Sequence, residues 1–125
     1  HRDLHSFPTR RSSDLEKLDL LLNGLHGHAT ELIGLPLRET AAVMSKTHLY
    51  IGVDTGPTHI MSTFNIPMVA LFHCMLKSEV YGALNHPCYF AIDHQSNKNC
   101  SELSPMSEIS VNTVLGEVNK ALKYD

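Results

Sequence analysis

Leucines at positions 15, 18, 21, 22 and 25 recur at helical spacing, and Gly24 and Gly27 stand where a left-handed cap would end such a helix. The spacing predicts a short helix there. Further on, Glu31-Leu32-Ile33-Gly34 is a brief strand candidate, and Leu37 to Lys46 sets apolar residues at 37, 41 and 44 among polar Arg38, Glu39 and Lys46, as an amphipathic helix does. His48 to Val53 is a β-rich run, ended at once by Asp54-Thr55-Gly56-Pro57, with Pro57 suited to the first turn of a helix that reaches about Phe64. Pro67 to Phe72 is apolar at every position, the pattern of a parallel strand buried on both faces. Residues 73–104 lose this order and read as loop, with one strand at Cys88 to Ile92. Ser110 is a good N-cap, and Val111, Val114, Leu115, Val118, Ala121 and Leu122 share one face of a closing helix. Short strands alternating with helices of roughly ten residues predict an α/β layer structure, a parallel sheet with flanking helices.

A chain of 125 residues has room for one core, and 42% apolar against 18% charged residues is enough to bury one. No apolar run approaches the roughly 18–20 residues of a membrane span. The net charge of −3 disfavours nucleic acid as a partner, because phosphate backbones demand a positive face. Cys74, Cys88 and Cys100 cannot all pair within the chain and are too few to staple a small secreted scaffold, so a reducing, cytoplasmic setting is expected. The first residues lack the order of a secretory signal. Residues 1–15 hold three of the ten Lys/Arg, have no periodicity, and contain HSFPTRRSSDL, which resembles translated sequencing-adapter DNA. They are set aside as a non-native or disordered tail, the rival reading being a basic Arg10-Arg11 arm for an acidic partner. Residues 16–125 are then one partial domain.

The segment with chemistry in it is Gly52-Val53-Asp54-Thr55-Gly56-Pro57-Thr58-His59, where a buried strand gives way to a helix. A helix start at the carboxyl edge of a parallel sheet leaves backbone N–H groups unpaired, and these attract phosphate. Gly56 lets an anion reach the backbone with no Cβ in the way, Thr55 adds a hydroxyl, and His59 would point from the first turn towards the same anion. Asp54 could accept from sugar hydroxyls. The same residues also make good turn and cap chemistry: Asp54 or Thr55 as the cap, Gly56 relieving strain, His59 merely packed or solvated.

The run LIGLPLRETAAVMSKTHLYIGVDTGPTHIMSTFNIPMVALF resembles the C-terminal, nucleotide-sugar-binding domain of glycosyltransferase family 9, the ADP-heptose:lipopolysaccharide heptosyltransferases. Five linked elements carry the likeness: Gly34, the Leu37-Arg38-Glu39 helix, the Leu49 to Val53 strand, Asp54 to His59, and the Pro67 to Phe72 strand. It continues more weakly through Pro87-Cys88-Tyr89, Asn99-Cys100 and Met106 to Ser110. The resemblance implies a GT-B fold, two Rossmann-like domains facing a cleft, with this chain part of the second. It implies inverting transfer of heptose from ADP-heptose to a lipopolysaccharide core acceptor, in the cytoplasm, with at most peripheral contact with the inner membrane. Asp54, Thr55, Gly56 and His59 would bind the donor. No catalytic residue is assigned, because the general base belongs to the acceptor-binding domain; no cofactor is implied beyond the donor substrate. The alternatives are an inactive nucleotide-binding fragment, or another GT-B transferase or epimerase using a UDP-sugar.

This chain departs from the family where Gly-Pro usually follows the Val-Ala-Leu-Phe strand: it has His73-Cys74, a bulky imidazole that would narrow or re-aim the pocket. Nine histidines and three cysteines raise the question of zinc, yet His73-Cys74, His86-x-Cys88, His94 and Cys100 show no CxxC or HxxxH spacing, so no metal is expected.

Overall fold

The computed structural model describes residues 12–95 and 99–123, so most of the 1–15 tail reading lies outside the described residues. The described residues fall into two compact units that divide between Val43 and Met44. In the first, α1 (Ser12–Gly24) contains the predicted leucine helix and begins before Leu15. Leu18 and Leu22, one turn apart, are half-buried, whereas Leu20 and Leu21 are exposed. Of the two cap glycines, Gly27 takes the left-handed conformation at φ +82°. Glu31–Gly34 is not a strand. All four residues are exposed, and Gly34 turns the chain at φ +77°, which breaks extended geometry. Helix α2 (Leu37–Met44) follows, its first turn anchored by the Thr40 amide on the Pro36 carbonyl at 2.9 Å.

The second unit carries a three-stranded parallel sheet with flanking helices, the expected α/β, Rossmann-like arrangement. Its strands are β1 (Tyr50–Val53), β2 (Met68–Phe72) and β3 (Tyr89–Asp93), side by side in that order, with β2 central. The register sets Val53 beside Leu71 and Phe72 beside Asp93. The connections hold α3 (Gly56–Met61) and α4 (Ser78–Tyr81), and α5 (Val111–Leu122) closes the chain.

Central β2 is apolar throughout because both its faces are covered. Val69 joins Ile92 and Ala121 in a buried cluster, with Leu71, Phe90, Ile109, Val114 and Val118 packed around it. The other alternation, Met68, Ala70 and Phe72, faces the opposite way and is wholly buried, as is Met61 of α3. The edge strand β1 is less covered, with Ile51 and Val53 exposed. Ser110 caps α5 as expected, its Oγ accepting from the Thr113 amide at 3.1 Å. The apolar face of α5 is narrower than predicted: Val114, Val118 and Ala121 pack, but Val111, Leu115 and Leu122 are exposed. At 3.6 residues per turn the latter three lie about 60–100° round the helix from the packed line.

Candidate functional site

The end of β1 enters the turn Asp54-Thr55 and then α3, so the predicted segment sits at the carboxyl edge of the sheet. Thr55 occupies the N-cap position, yet its hydroxyl does not cap; it turns back to the Val53 carbonyl at 3.3 Å. The first chain bond of the turn runs from the His59 amide to the Thr55 carbonyl at 3.2 Å. Pro57 has no amide hydrogen, and no described group takes those of Gly56 and Thr58. Thr55 and Gly56 are exposed, so the turn is open to solvent. Gly56 lies outside the left-handed region that Gly27 and Gly34 occupy. Its backbone therefore does not demand glycine, and the reading of Gly56 as strain relief loses its basis. With six residues α3 has little macrodipole, so any pull on an anion would have to come from the free amides.

Asp54 is largely buried, its side chain 12% exposed, while His59 is 58% exposed with Nε2 standing 2.8 Å from Asp54 Oδ1. That oxygen is buried, with the His59 ring as its close neighbour. It keeps capacity for a hydroxyl donor. Asp54 lines a cleft of about 210 Å³ with Val53, Leu71, His73, Leu76 and Met106. His73, the departure noted in the sequence, is thus a wall of the space in front of Asp54. It is held there by Nε2 donating to the Ser104 carbonyl at 2.9 Å and Nδ1 accepting from the Met75 amide at 3.1 Å.

Two residues that give the turn its shape escaped sequence reading. Thr58, 2% exposed, donates its hydroxyl to the Val53 carbonyl and, its one proton spent, accepts from Tyr50 Oη at 2.8 Å. This relay ties α3 to β1. Gly52 makes room for it: a Cβ there would lie 2.7 Å from Tyr50 Cζ. Thr58→Val keeps the shape but removes both hydrogen bonds of this part-buried relay, and is expected to cost about 1–3 kcal/mol. A lower urea midpoint at unchanged m-value checks this.

A second cleft of about 240 Å³ lies at the end of β3, lined in part by Asp93, His94, Glu108, Ser110 and Thr113. Two carboxylates face it, and the Thr113 amide is already taken by Ser110, so it suits a diphosphate poorly. Burial pushes the Tyr89 phenol above its usual range, with the carboxylates of Asp54 and Asp93 adding to the rise. Burial likewise raises the Cys88 thiol. The ring nitrogens of His86 serve structure, Nε2 donating to the Phe64 carbonyl at 2.8 Å and Nδ1 accepting from the Cys88 amide at 3.0 Å. His73, Cys74 and His94, which spacing alone did not group as ligands, place one potential ligand atom each within 4.8 Å of one another. Cys74 is disulfide-bonded to Cys100, and Cys88 is free and buried.

A parallel sheet whose first strand runs into an open turn with unpaired amides and a buried carboxylate belongs to the α/β class that builds ligand sites at the carboxyl ends of strands. Residues 6–116 match the model of glycosyltransferase family 9 (heptosyltransferase), and the chain belongs to that family. It is also similar to the lipopolysaccharide core heptosyltransferase OpsX of Haemophilus influenzae, with 28% identity over 92% of this chain. The chain spans 37% of the length of that curated relative. No solved structure matches. Among the described residues no helix is long and apolar enough to cross a membrane.

Proposed function

We propose that this chain is the donor-binding part of a cytoplasmic, inverting heptosyltransferase of GT-B architecture, which takes ADP-heptose and delivers the sugar to a lipopolysaccharide core acceptor. The observation that carries the reading is an open turn in which the amide donors of Gly56 and Thr58 have no partner among the described residues and the Asp54 carboxylate stands beside them, in contact with the exposed ring of His59. A nucleoside diphosphate sugar supplies complements to both, phosphate oxygens for the amides and ring hydroxyls for the carboxylate. Family membership supplies the reaction class.

In this reading an acceptor hydroxyl attacks the anomeric carbon from the face opposite the leaving group, the anomeric C–O bond to phosphate breaks, and ADP departs with the bonding electrons. Negative charge grows on the diphosphate as the bond lengthens. Amides fixed by the Tyr50–Thr58–Val53 relay meet that charge without reorganising, which favours the transition state over the ground state. One such donor in a dry site is worth on the order of 3 kcal/mol of barrier. His59, when protonated, adds a positive charge beside the same turn, and Asp54 holds the heptose. The general base lies on the acceptor side, outside these 125 residues.

Calorimetry tests the assignment. The chain is expected to bind ADP, and ADP-heptose more tightly; absence of heat with both overturns the donor-site reading. Asp54→Asn separates sugar from diphosphate. It is expected to leave ADP affinity nearly unchanged while removing a charge-assisted bond to the sugar, about 10- to 100-fold in ADP-heptose affinity.

A further inference from the structure

We propose that the reduced chain binds a divalent transition metal, zinc by the nature of the donors, in a tetrahedral site formed by His73, Cys74, His94 and Cys100. Parallel pairing of β2 with β3 in the Phe72–Asp93 register brings the residues just beyond both strand ends together. The His94 amide donates to the Phe72 carbonyl at 2.7 Å, and the two imidazoles meet edge to face with centroids 5.3 Å apart. One ring nitrogen from each histidine and Cys74 Sγ lie within 4.8 Å of one another, and the disulfide fixes Cys100 Sγ against Cys74.

Each imidazole is prepared as a ligand. His94 is buried, 3% exposed; Glu108 Oε2 holds its Nε2 at 2.7 Å, and its Nδ1 is buried with no hydrogen-bond partner among the described residues. An orphaned imidazole nitrogen in a buried position is costly unless something binds it. His73 gives Nε2–H to the Ser104 carbonyl, a tautomer that leaves a lone pair on Nδ1, now lent to the Met75 amide. Carboxylate or carbonyl behind the far nitrogen is how metal-binding histidines are oriented. Two imidazoles and two thiolates make the N2S2 donor set that selects zinc, and two thiolates cancel its charge.

The disulfide and the metal exclude each other, because a disulfide sulfur has no thiolate charge to give. A dithiol reductant takes up the linkage: it becomes a disulfide, and the Cys74–Cys100 bond is replaced by two S–H bonds. Zinc then displaces both thiol protons to solvent, and each sulfur settles about 2.3 Å from the ion. A reducing cytoplasm would thus present the loop around Cys100 pinned by metal, and an oxidising one the same loop pinned covalently.

The test uses the whole chain, reduced with a water-soluble phosphine and titrated anaerobically with Co²⁺. One equivalent is expected to give the intense visible bands of tetrahedral cobalt with thiolate charge transfer in the near ultraviolet, and Zn²⁺ should bleach both. The unreduced chain should give neither. Cys88→Ser should leave the spectrum intact, and Cys100→Ser should weaken the charge transfer and the affinity. Glu108→Gln, which loosens His94 without removing a ligand, should weaken binding by about 10- to 100-fold. Circular dichroism follows the same samples: should reduction unfold the chain, the metal is expected to refold it. A reduced chain that yields no tetrahedral spectrum, or a Cys74→Ser/Cys100→Ser chain that yields the same one, overturns the proposal.

Discussion

Gly56→Val is expected to abolish ADP binding while leaving the fold intact. The backbone at Gly56 lies outside the left-handed region, so its conformation does not exclude valine, and the position is exposed, where substitutions usually change stability by no more than about 0.5 kcal/mol. What changes is access. An amide hydrogen bond needs the phosphate oxygen within about 2.7–3.2 Å of nitrogen, and a branched side chain at the turn occupies the approach to the free amides of Gly56 and Thr58. Two charge-assisted bonds at about 1.5–3 kcal/mol each amount to roughly 10²- to 10⁴-fold in affinity. Calorimetry with ADP and a melting curve on the same sample read the two halves of this expectation. Unchanged affinity would refute the phosphate role of the turn.

What the sequence disclosed follows from how local each signal is. The Pro67–Phe72 strand and the Asp54–His59 turn were readable because an unbroken apolar run and a strand-to-helix junction are written in consecutive residues. Cap chemistry at Ser110 was readable for the same reason. The Glu31–Gly34 strand failed because a strand exists only with a neighbour to pair, and four apolar or extended residues do not supply one. Thr58 was hidden because its value depends on Tyr50, eight residues away, and on a ring that passes over Gly52. Spacing tests for a metal see only ligand sets that are local in sequence. CxxC and HxxxH are signatures of ligands sharing one turn or helix, whereas His73 and His94 are brought together by strand register across 21 residues, and Cys100 by covalent linkage to Cys74.

Phe72→Ala has the other large expected effect, and it shows what a loss of function through the fold would look like. Phe72 ends β2 with no exposed surface, and its carbonyl receives the His94 amide. Truncation removes a ring from a packed interior, and large-to-small changes of this kind cost about 3–5 kcal/mol. A unit the size of residues 44–125, at roughly 0.05–0.15 kcal/mol per residue, holds only about 4–12 kcal/mol in all. A fall in melting temperature on the order of 15–30 °C is therefore expected, with part of the population unfolded at working temperature. ADP binding should fall with the folded fraction and recover on cooling, in contrast to Gly56→Val, where no temperature restores it. A Phe72→Ala chain that melts within a few degrees of the parent would mean that β2 is not the core strand its burial indicates, and the turn at Asp54 would lose the rigid strand pair that holds its amides in place.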